Sequence, residues 1–446
     1  MAALDFPASP TVGDKYPVTP IAGQPQYTWD GEKWTTAGAQ ITTASPASAL
    51  PLMDGVSAQV GVAAKYARED HVHPSDSAKL GVNQAVRYDI AQGLTSPQRA
   101  QARANINVPL KNYIINGAMQ VSQENGSTLG TTFGYFPVDC FNDPSGGGSG
   151  VISAQQVAVA TPGGSPNRIR FTVTIADTTA DAADVVLIST KVEGLRAADL
   201  RIGSVAAKTV TLQFGIKAPA GTYCVTFRNG AGNRSYVAEC VIAAGEANTD
   251  VVKSITLTLD VSGTWATDNT VGLEISWTLI AGINYQSSPT TWNAGNFVKT
   301  PNQFNFFGTV GNVFELFDVS LTEGASAPPF VVPDYASELQ LCKRYFEVIG
   351  DGISGAVNGS NTAVIYVAFT YKVSKRATAT VSLVTTTPGI LTAYGAYPSA
   401  AGAVLGPSAA YGTEGGVFNI SGFSGLTAGM FVMSNVERLL KINARL

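Results

Sequence analysis

The chain has only two histidines, and they stand together in Glu69-Asp70-His71-Val72-His73-Pro74. In an extended strand, residues i and i+2 leave the same face, so the two imidazoles project side by side. Imidazole is the commonest protein metal ligand, yet a structural zinc site takes four ligands. One chain therefore carries half a site: either the pair binds no metal, or other chains complete it. A Ser-His-Asp triad would have to use His71 or His73, and neither stands near a nucleophile-elbow sequence.

Other chemistry-bearing residues are sparse. Asp177, Asp181 and Asp184 are closely spaced acids beside Thr178-Thr179. They read as solvated loop acids, because the paired carboxylates of glycoside cleavage must flank a bond at a set separation. Asp143-Pro-Ser-Gly-Gly-Gly-Ser-Gly150 is glycine-rich, but neither Gly-Lys-Ser/Thr nor a helix follows it, so it is a flexible loop and not a phosphate cradle. Sugar recognition is better provided for. It calls for an aromatic platform beside amides that hydrogen-bond hydroxyls. Trp265, Tyr285 and Trp292 with Asn284, Gln286 and Asn293 form one such set in a turn-rich stretch. Tyr394, Tyr397 and Tyr411 form a second, in Gly/Ala/Pro-rich loops near the C-terminus.

The elements that must position these residues read as mainly β. Charged residues make up 13% of the 446, against roughly a quarter in an average domain. With 46 glycines and abundant Thr, Ser and Val, the composition favours strands and turns. The first forty residues form a small β unit, in which Asp30-Gly31 signals a tight hairpin and Trp29 and Trp34 supply most of a miniature core. Residues 35–60 read as linker or shaft. Asn83 to Gln92 reads as a short helix stopped by Gly93, and Ser96-Pro97 starts a second. From Tyr113 to about Phe330, period-two alternation marks half-buried strands at 168–175, 208–216, 255–259 and 273–279, most simply an antiparallel jelly-roll sandwich. Ser337 to Glu347 reads as a short helix with Leu339, Tyr345 and Phe346 mostly on one side. Strands then resume to Leu446. No fixed-period repeat is present, which argues against a β-helix or propeller.

Charge and cysteine content exclude several function classes. A net charge of −4 gives no phosphate-binding footprint, so nucleic acid is not an expected partner. No apolar run reaches membrane-spanning length, and Met1-Ala-Ala-Leu-Asp-Phe-Pro lacks the features of a secretory signal. The expectation is a soluble chain made in a cytoplasm. Cys140, Cys224, Cys240 and Cys342 read as free thiols, although Cys224 and Cys240 would face each other across a hairpin turning near residues 230–233.

The order of these pieces resembles a modular tail fibre or receptor-binding fibre protein of a tailed bacteriophage, over nearly the whole chain. Phe6-Pro-Ala-Ser-Pro-Thr-Val-Gly13 with Trp29-Asp-Gly-Glu-Lys-Trp34 resembles a small N-terminal module of phage tail proteins. Arg68-Glu-Asp-His-Val-His-Pro74 is similar to the Asp-His-x-His-Pro segment of fibre shafts, and Gln101-Ala-Arg-Ala-Asn-Ile106 to a helical segment found there. Asn112-Tyr-Ile-Ile-Asn-Gly-Ala-Met-Gln-Val121 resembles the opening strand of the jelly-roll module. Val313-Phe-Glu-Leu-Phe-Asp-Val-Ser-Leu-Thr-Glu-Gly324 resembles its closing strand. Glu338-Leu-Gln-Leu-Cys-Lys-Arg-Tyr-Phe346 resembles the linker into a C-terminal tip module. Arg376-Ala377-Thr378 departs from the pattern, which often has Arg-Ala-x-Pro.

The resemblance implies an elongated homotrimer of five parts. These are a virion-attachment β module (1–43), a shaft with the His-x-His segment (44–82), a short helical segment (83–109), a jelly-roll sandwich (110–330) and a β tip module (331–446). It implies docking on another virion protein through the N-terminus and distal binding of a host cell-surface glycan; from the residues themselves, neither membrane insertion nor catalysis is expected. The protein would reside in the virion after assembly in the host bacterial cytoplasm. His71 and His73 from three chains would offer six nitrogens on a threefold axis. That set suits an octahedral ion, iron by the resemblance, with nickel or zinc as alternatives. The competing functions are a purely structural virion or collar fibre and, less favoured, a polysaccharide depolymerase.

Overall fold

The computed structural model describes residues 5–36, 98, 102, 110–142, 148–350, 353–392, 400, 402–406, 412–434 and 438–446. The chain divides into two compact units, Met1–Gly93 and Leu94–Leu446. His71, His73, Tyr394, Tyr397 and Tyr411 lie outside the described residues, as does nearly all of the expected helical segment. Gln98 and Ala102, one turn apart within it, are helical.

In the first unit, β1 (Lys15–Tyr16), β2 (Tyr27–Trp29) and β3 (Trp34–Thr36) form an antiparallel meander. Trp29 pairs with Trp34, so the hairpin loop is Asp30–Lys33 and not the two-residue turn that Asp30-Gly31 suggests. Asp30 explains the difference: its Oδ1 accepts from the backbone N–H groups of Glu32 and Lys33 at 2.9 and 2.8 Å, an Asx turn that settles a four-residue loop. Phe6, and not the tryptophan pair alone, is the hub of the apolar cluster. Its ring stacks on Trp34 at 5.0 Å and meets Tyr16 and Tyr27 at 5.2 and 5.3 Å.

The second unit opens with a β-sandwich. In chain order its strands are β4 (Phe141–Asn142), β5 (Val151–Val157), β6 (Arg168–Ile175), β7 (Val185–Glu193), β8 (Thr209–Lys217), β9 (Gly221–Arg228), β10 (Arg234–Ile242), β11 (Val251–Thr258), β12 (Val271–Ala281), β13 (Trp292–Ala294) and β14 (Val313–Glu323). One sheet has the order β13-β10-β9-β12-β7-β4 and the other β11-β8-β14-β6-β5, with every strand pair antiparallel. Alternation sends Tyr223, Val225 and Phe227 of β9 inward against Phe214 of β8 and Phe314 of β14. Trp277 of β12 is fully buried and meets Phe214 edge-on at 5.5 Å. The four strands expected from alternation coincide with β6, β8, the second half of β11 and the middle of β12. The expected opening strand behaves differently. Residues 113–119 run beside the bulge of β14, through Tyr113 N to Leu321 O and Val319 N to Gly117 O, both 2.9 Å, and form no regular ladder.

A second β module follows: β15 (Phe346–Gly350), β16 (Ser354–Val357), β17 (Val364–Thr370), β18 (Thr380–Leu383), β19 (Ile390–Thr392), β20 (Val404–Leu405), β21 (Gly415–Ser421), β22 (Phe431–Ser434) and β23 (Arg438–Asn443). They form a three-stranded sheet, β15-β23-β18, and a six-stranded one, β19-β22-β16-β17-β21-β20, around a core of Ile365, Val367, Phe418, Ile420, Val432, Leu440 and Ile442. The helix leading in spans Tyr335–Lys343 and starts earlier than the apolar spacing suggests. Asp334 supplies the reason, since its Oδ2 caps Ser337 N at 2.9 Å. Phe346 already belongs to β15, so only Leu339, Cys342 and Tyr345 share one apolar cluster.

The two β modules are joined by charge as well as by packing. Arg344 donates to both oxygens of Glu193, at 2.8 and 2.6 Å, and Tyr345 Oη donates to the same carboxylate at 2.7 Å. Burial opposes ionisation of Glu193, but the hydrogen bonds from Arg344 and Tyr345 outweigh it and hold the carboxyl below its usual range. Arg445 lies between the rings of Phe136 and Phe346, at 3.7 and 3.8 Å, and pairs with Glu124 at 2.6 Å. Within the C-terminal module Lys375 and Glu347 form a fully buried pair at 2.7 Å.

Candidate functional site

The middle-module aromatics do not converge on one open surface. Trp265 is 8% exposed. Gly203, at φ +82°, makes room for it, because a Cβ there would come within 2.9 Å of the indole. The Trp265 Nε1–H donates to Ser262 O, and Trp292 Nε1–H donates to Thr258 O, each at 3.0 Å. Trp265, half-buried Trp292 and Tyr236 then meet at 5.5 and 5.4 Å. The three rings close the core where edge strands β13 and β11 come together, and the indole donors are spent on backbone. Tyr285 sits in a separate small cluster with Leu187, Ala281 and Val298, beside exposed Asn284.

Of the loop acids, Asp181 is exposed as expected and the other two are not. Asp177 and Asp184 are buried because they brace the loops. Asp177 accepts from Ser149 N at 2.9 Å, and Asp184 from Asp181 N at 2.7 Å. No group of three or more His, Cys, Asp or Glu side chains suited to a metal ion occurs among the described residues.

An open surface of different character lies on the C-terminal six-stranded sheet. Strand β17 alternates strictly, with Ile365 and Val367 in the core and Tyr366, Ala368 and Thr370 outside. Register carries that alternation across the sheet. Ala356 of β16 faces Phe431 of β22 on one side and Tyr366 of β17 on the other, and Tyr366 faces Asn419 of β21. The next row is Met433, Ser354, Ala368 and Val417. Phe431 is 51% exposed and Tyr366 40%. They stand two strand spacings apart, about 9–10 Å between backbones, with only a methyl group between them. Asn358 Nδ2 donates to Tyr366 Oη at 3.3 Å, which places an amide beside the ring. None of the six strands contains Asp, Glu, Lys or Arg, whereas an outward-facing sheet surface is normally polar. Sequence reasoning passed over Tyr366 and Phe431, although Ile365-Tyr-Val-Ala-Phe369 and Phe431-Val-Met433 carry the signal: period two with an apolar residue on both faces.

A small cleft opens at the junction of the two modules. It is lined by Phe136, Cys140, Asn142, Lys191, Tyr345, Arg445 and Leu446. Lys191 Nζ spans it to Leu446 O at 3.0 Å. Burial and the hydrogen bond to Glu193 push the Tyr345 phenol well above its usual range, so it remains a donor.

No protein-family model matches the chain, and no curated protein does. Solved structures similar to it include the enzymatically active domain of bacteriophage CBA120 tailspike protein 4. That match has 12% identity and TM-score 0.25 and covers 48% of this chain and 21% of the tailspike, so the chain spans about a fifth of that protein. The family 11 carbohydrate-binding module of the cellulase Lic26A-Cel5E of Clostridium thermocellum matches at 13% identity and TM-score 0.23, over 46% of this chain and 99% of the module. TmCBM61, solved with β-1,4-galactotriose, matches at 10% identity and TM-score 0.23, over 48% and 99%. Likenesses of this size carry no argument about this chain.

Proposed function

We propose that this protein is a virion fibre that binds a host-surface glycan, with the outer face of the C-terminal six-stranded sheet as its contact surface. The observation that carries the reading is the exposed pair Tyr366 and Phe431, flanking Ala356 on an uncharged face with Asn358 and Asn419 at hand. Aromatic faces stack on the C–H faces of sugar rings, and amides hydrogen-bond their hydroxyls. The trough over Ala356 lets one oligosaccharide lie across both rings. Three copies on one stalk would multiply weak holds by avidity, with the N-terminal module docked on another virion protein. His71 and His73 from three chains would clamp the shaft through an octahedral ion, iron in the first instance. Binding without cleavage is the proposed activity, and the depolymerase is the enzymatic alternative. Asn284 and Tyr285 remain secondary candidates for glycan contact.

A second reading of the same face is contact between copies of this chain. It is favoured by the missing charge and by exposed Val404, Val417 and Met433, because charge depletion marks the centres of subunit interfaces. One set of measurements separates the two. Binding of the purified fibre to host cells and to extracted surface polysaccharide is compared with that of Tyr366→Ala and Phe431→Ala, alongside mass in solution. Glycan contact predicts weakened binding at unchanged mass. Dissociation of the variants into smaller species assigns the face to self-association. Falling polysaccharide viscosity would favour the depolymerase.

A further inference from the structure

Four cysteines are free thiols, and two of them meet across the module junction. Cys342 sits on the helix that enters the C-terminal module, and Cys140 immediately precedes β4 of the sandwich. They pack in one apolar cluster with Ile115, Val121, Tyr345 and Leu446, and after burial the neighbouring Cys140 is the next cause that pushes the Cys342 thiol up. Access is asymmetric. Cys140 is half-buried and lines the junction cleft, whereas Cys342 lies fully buried behind it. The pair that sequence spacing suggested is not available. Cys224 stands opposite Glu239 and Cys240 opposite Tyr223, so those two side chains leave opposite faces of the sheet.

We infer that Cys140 and Cys342 form a disulfide joining the sandwich to the C-terminal module when the protein meets a small-molecule disulfide. Cys140, the half-buried partner, meets the oxidant first. The Cys140 thiolate attacks one sulfur of the small disulfide, whose S–S bond breaks, giving a mixed disulfide and one small thiolate. Cys342 then gives up its proton and attacks the Cys140 sulfur, expelling the second small thiolate. The two leaving thiolates take up the two protons released. Two protein thiols are thereby oxidised to one disulfide, and one small disulfide is reduced to two thiols. Burial holds the Cys342 thiol in its protonated form, so the second step is the slow one and accelerates at alkaline pH. The bond closes a loop of about two hundred residues and restrains the unfolded chain accordingly. It needs no ordered ligand and does not depend on the glycan reading.

The test uses the full chain with oxidised glutathione as oxidant. After incubation the protein is unfolded, its free thiols are alkylated, and peptides are mapped by mass spectrometry without reduction. The expected result is a linked Cys140–Cys342 peptide, two fewer alkylated thiols per chain, and a melting temperature raised by about 5 °C or more. Cys342→Ser is expected to stop at a glutathione adduct on Cys140. If both thiols of the oxidised wild type remain alkylatable, or are linked to Cys224, Cys240 or another chain, the proposal fails. The wild-type measurement decides this without requiring any variant to fold.

Discussion

Asp139 makes the module junction responsive to pH. It is almost fully buried, and its carboxylate accepts from Gln123 N at 3.0 Å and Gln123 Nε2 at 2.5 Å. The same Gln123 amide donates to Phe346 O at 2.7 Å, so this carboxyl helps seat the first strand of the C-terminal module. Burial raises its pKa to about 6, against the lowering effects of the Gln123 hydrogen bonds and Arg445, with Glu124 adding to the rise. Between about pH 4 and pH 6 the folded chain keeps a proton that the unfolded chain has lost. The contribution is therefore fully present below about pH 4 and disappears as pH rises through 6. A carboxyl held at about 6 in place of 3.8 corresponds to about 3 kcal/mol, or roughly 5–10 °C in melting temperature for a module of this size. Acids held low elsewhere, such as Glu193 and Asp260, act with the opposite sign at lower pH, so the informative quantity is a difference. Asp139→Asn is neutral throughout and keeps an acceptor for Gln123 N. Thermal melts followed by near-ultraviolet circular dichroism at pH 4, 5, 6 and 7.5 should show the variant gaining on the wild type by about that amount across the range. Parallel curves for the two proteins would refute the reasoning.

Three further outcomes follow from the same structure. Arg168→Met removes a buried guanidinium held by Asp250 and Glu315, each at 2.8 Å, and leaves Glu315 only with Arg170. A loss of about 3–5 kcal/mol is expected, read as a lower urea midpoint. Phe6→Ala deletes the hub of the N-terminal unit at a cost of up to about 3 kcal/mol. Limited proteolysis should then cut within the first forty residues and spare the rest. On the trimer proposal, elemental analysis should find about one metal ion per three chains, lost in His71→Ala and His73→Ala, and a metal-free assembly of unchanged stability would discard the shaft clamp.

How far the sequence could be read depended on whether a signal was local. Strands such as Arg168–Ile175 declare themselves, because one face is buried along the whole segment and alternation follows from the pleat alone. The helix start at Tyr335 was missed because a single capping acid, Asp334, outweighs the apolar spacing behind it. The solvated reading of Asp177 and Asp184 failed for a related reason. Their hydrogen-bond partners are backbone N–H groups of their own and a neighbouring loop, and a residue-type pattern does not show backbone demand. The aromatic set around Trp265 and Trp292 failed on a longer scale. Whether a tryptophan is platform or plug depends on which edge strands meet there, and β11 and β13 are brought together only by the completed sandwich.

Register is also what exposes the surface that the sequence left unmarked. Tyr366 and Phe431 are 65 residues apart and become neighbours only because Ala356 pairs with both. A strand with apolar residues on both faces reads, taken alone, as buried on both sides. Val364–Thr370 has the core of its module beneath it and solvent above. That mismatch between composition and environment is unfavourable for an isolated chain, and it makes sense only if something covers the face in use. A sugar chain and a second copy of the protein both satisfy that demand. They differ in one physical consequence: a glycan leaves the mass of the assembly unchanged when Phe431 is truncated, and a subunit contact does not.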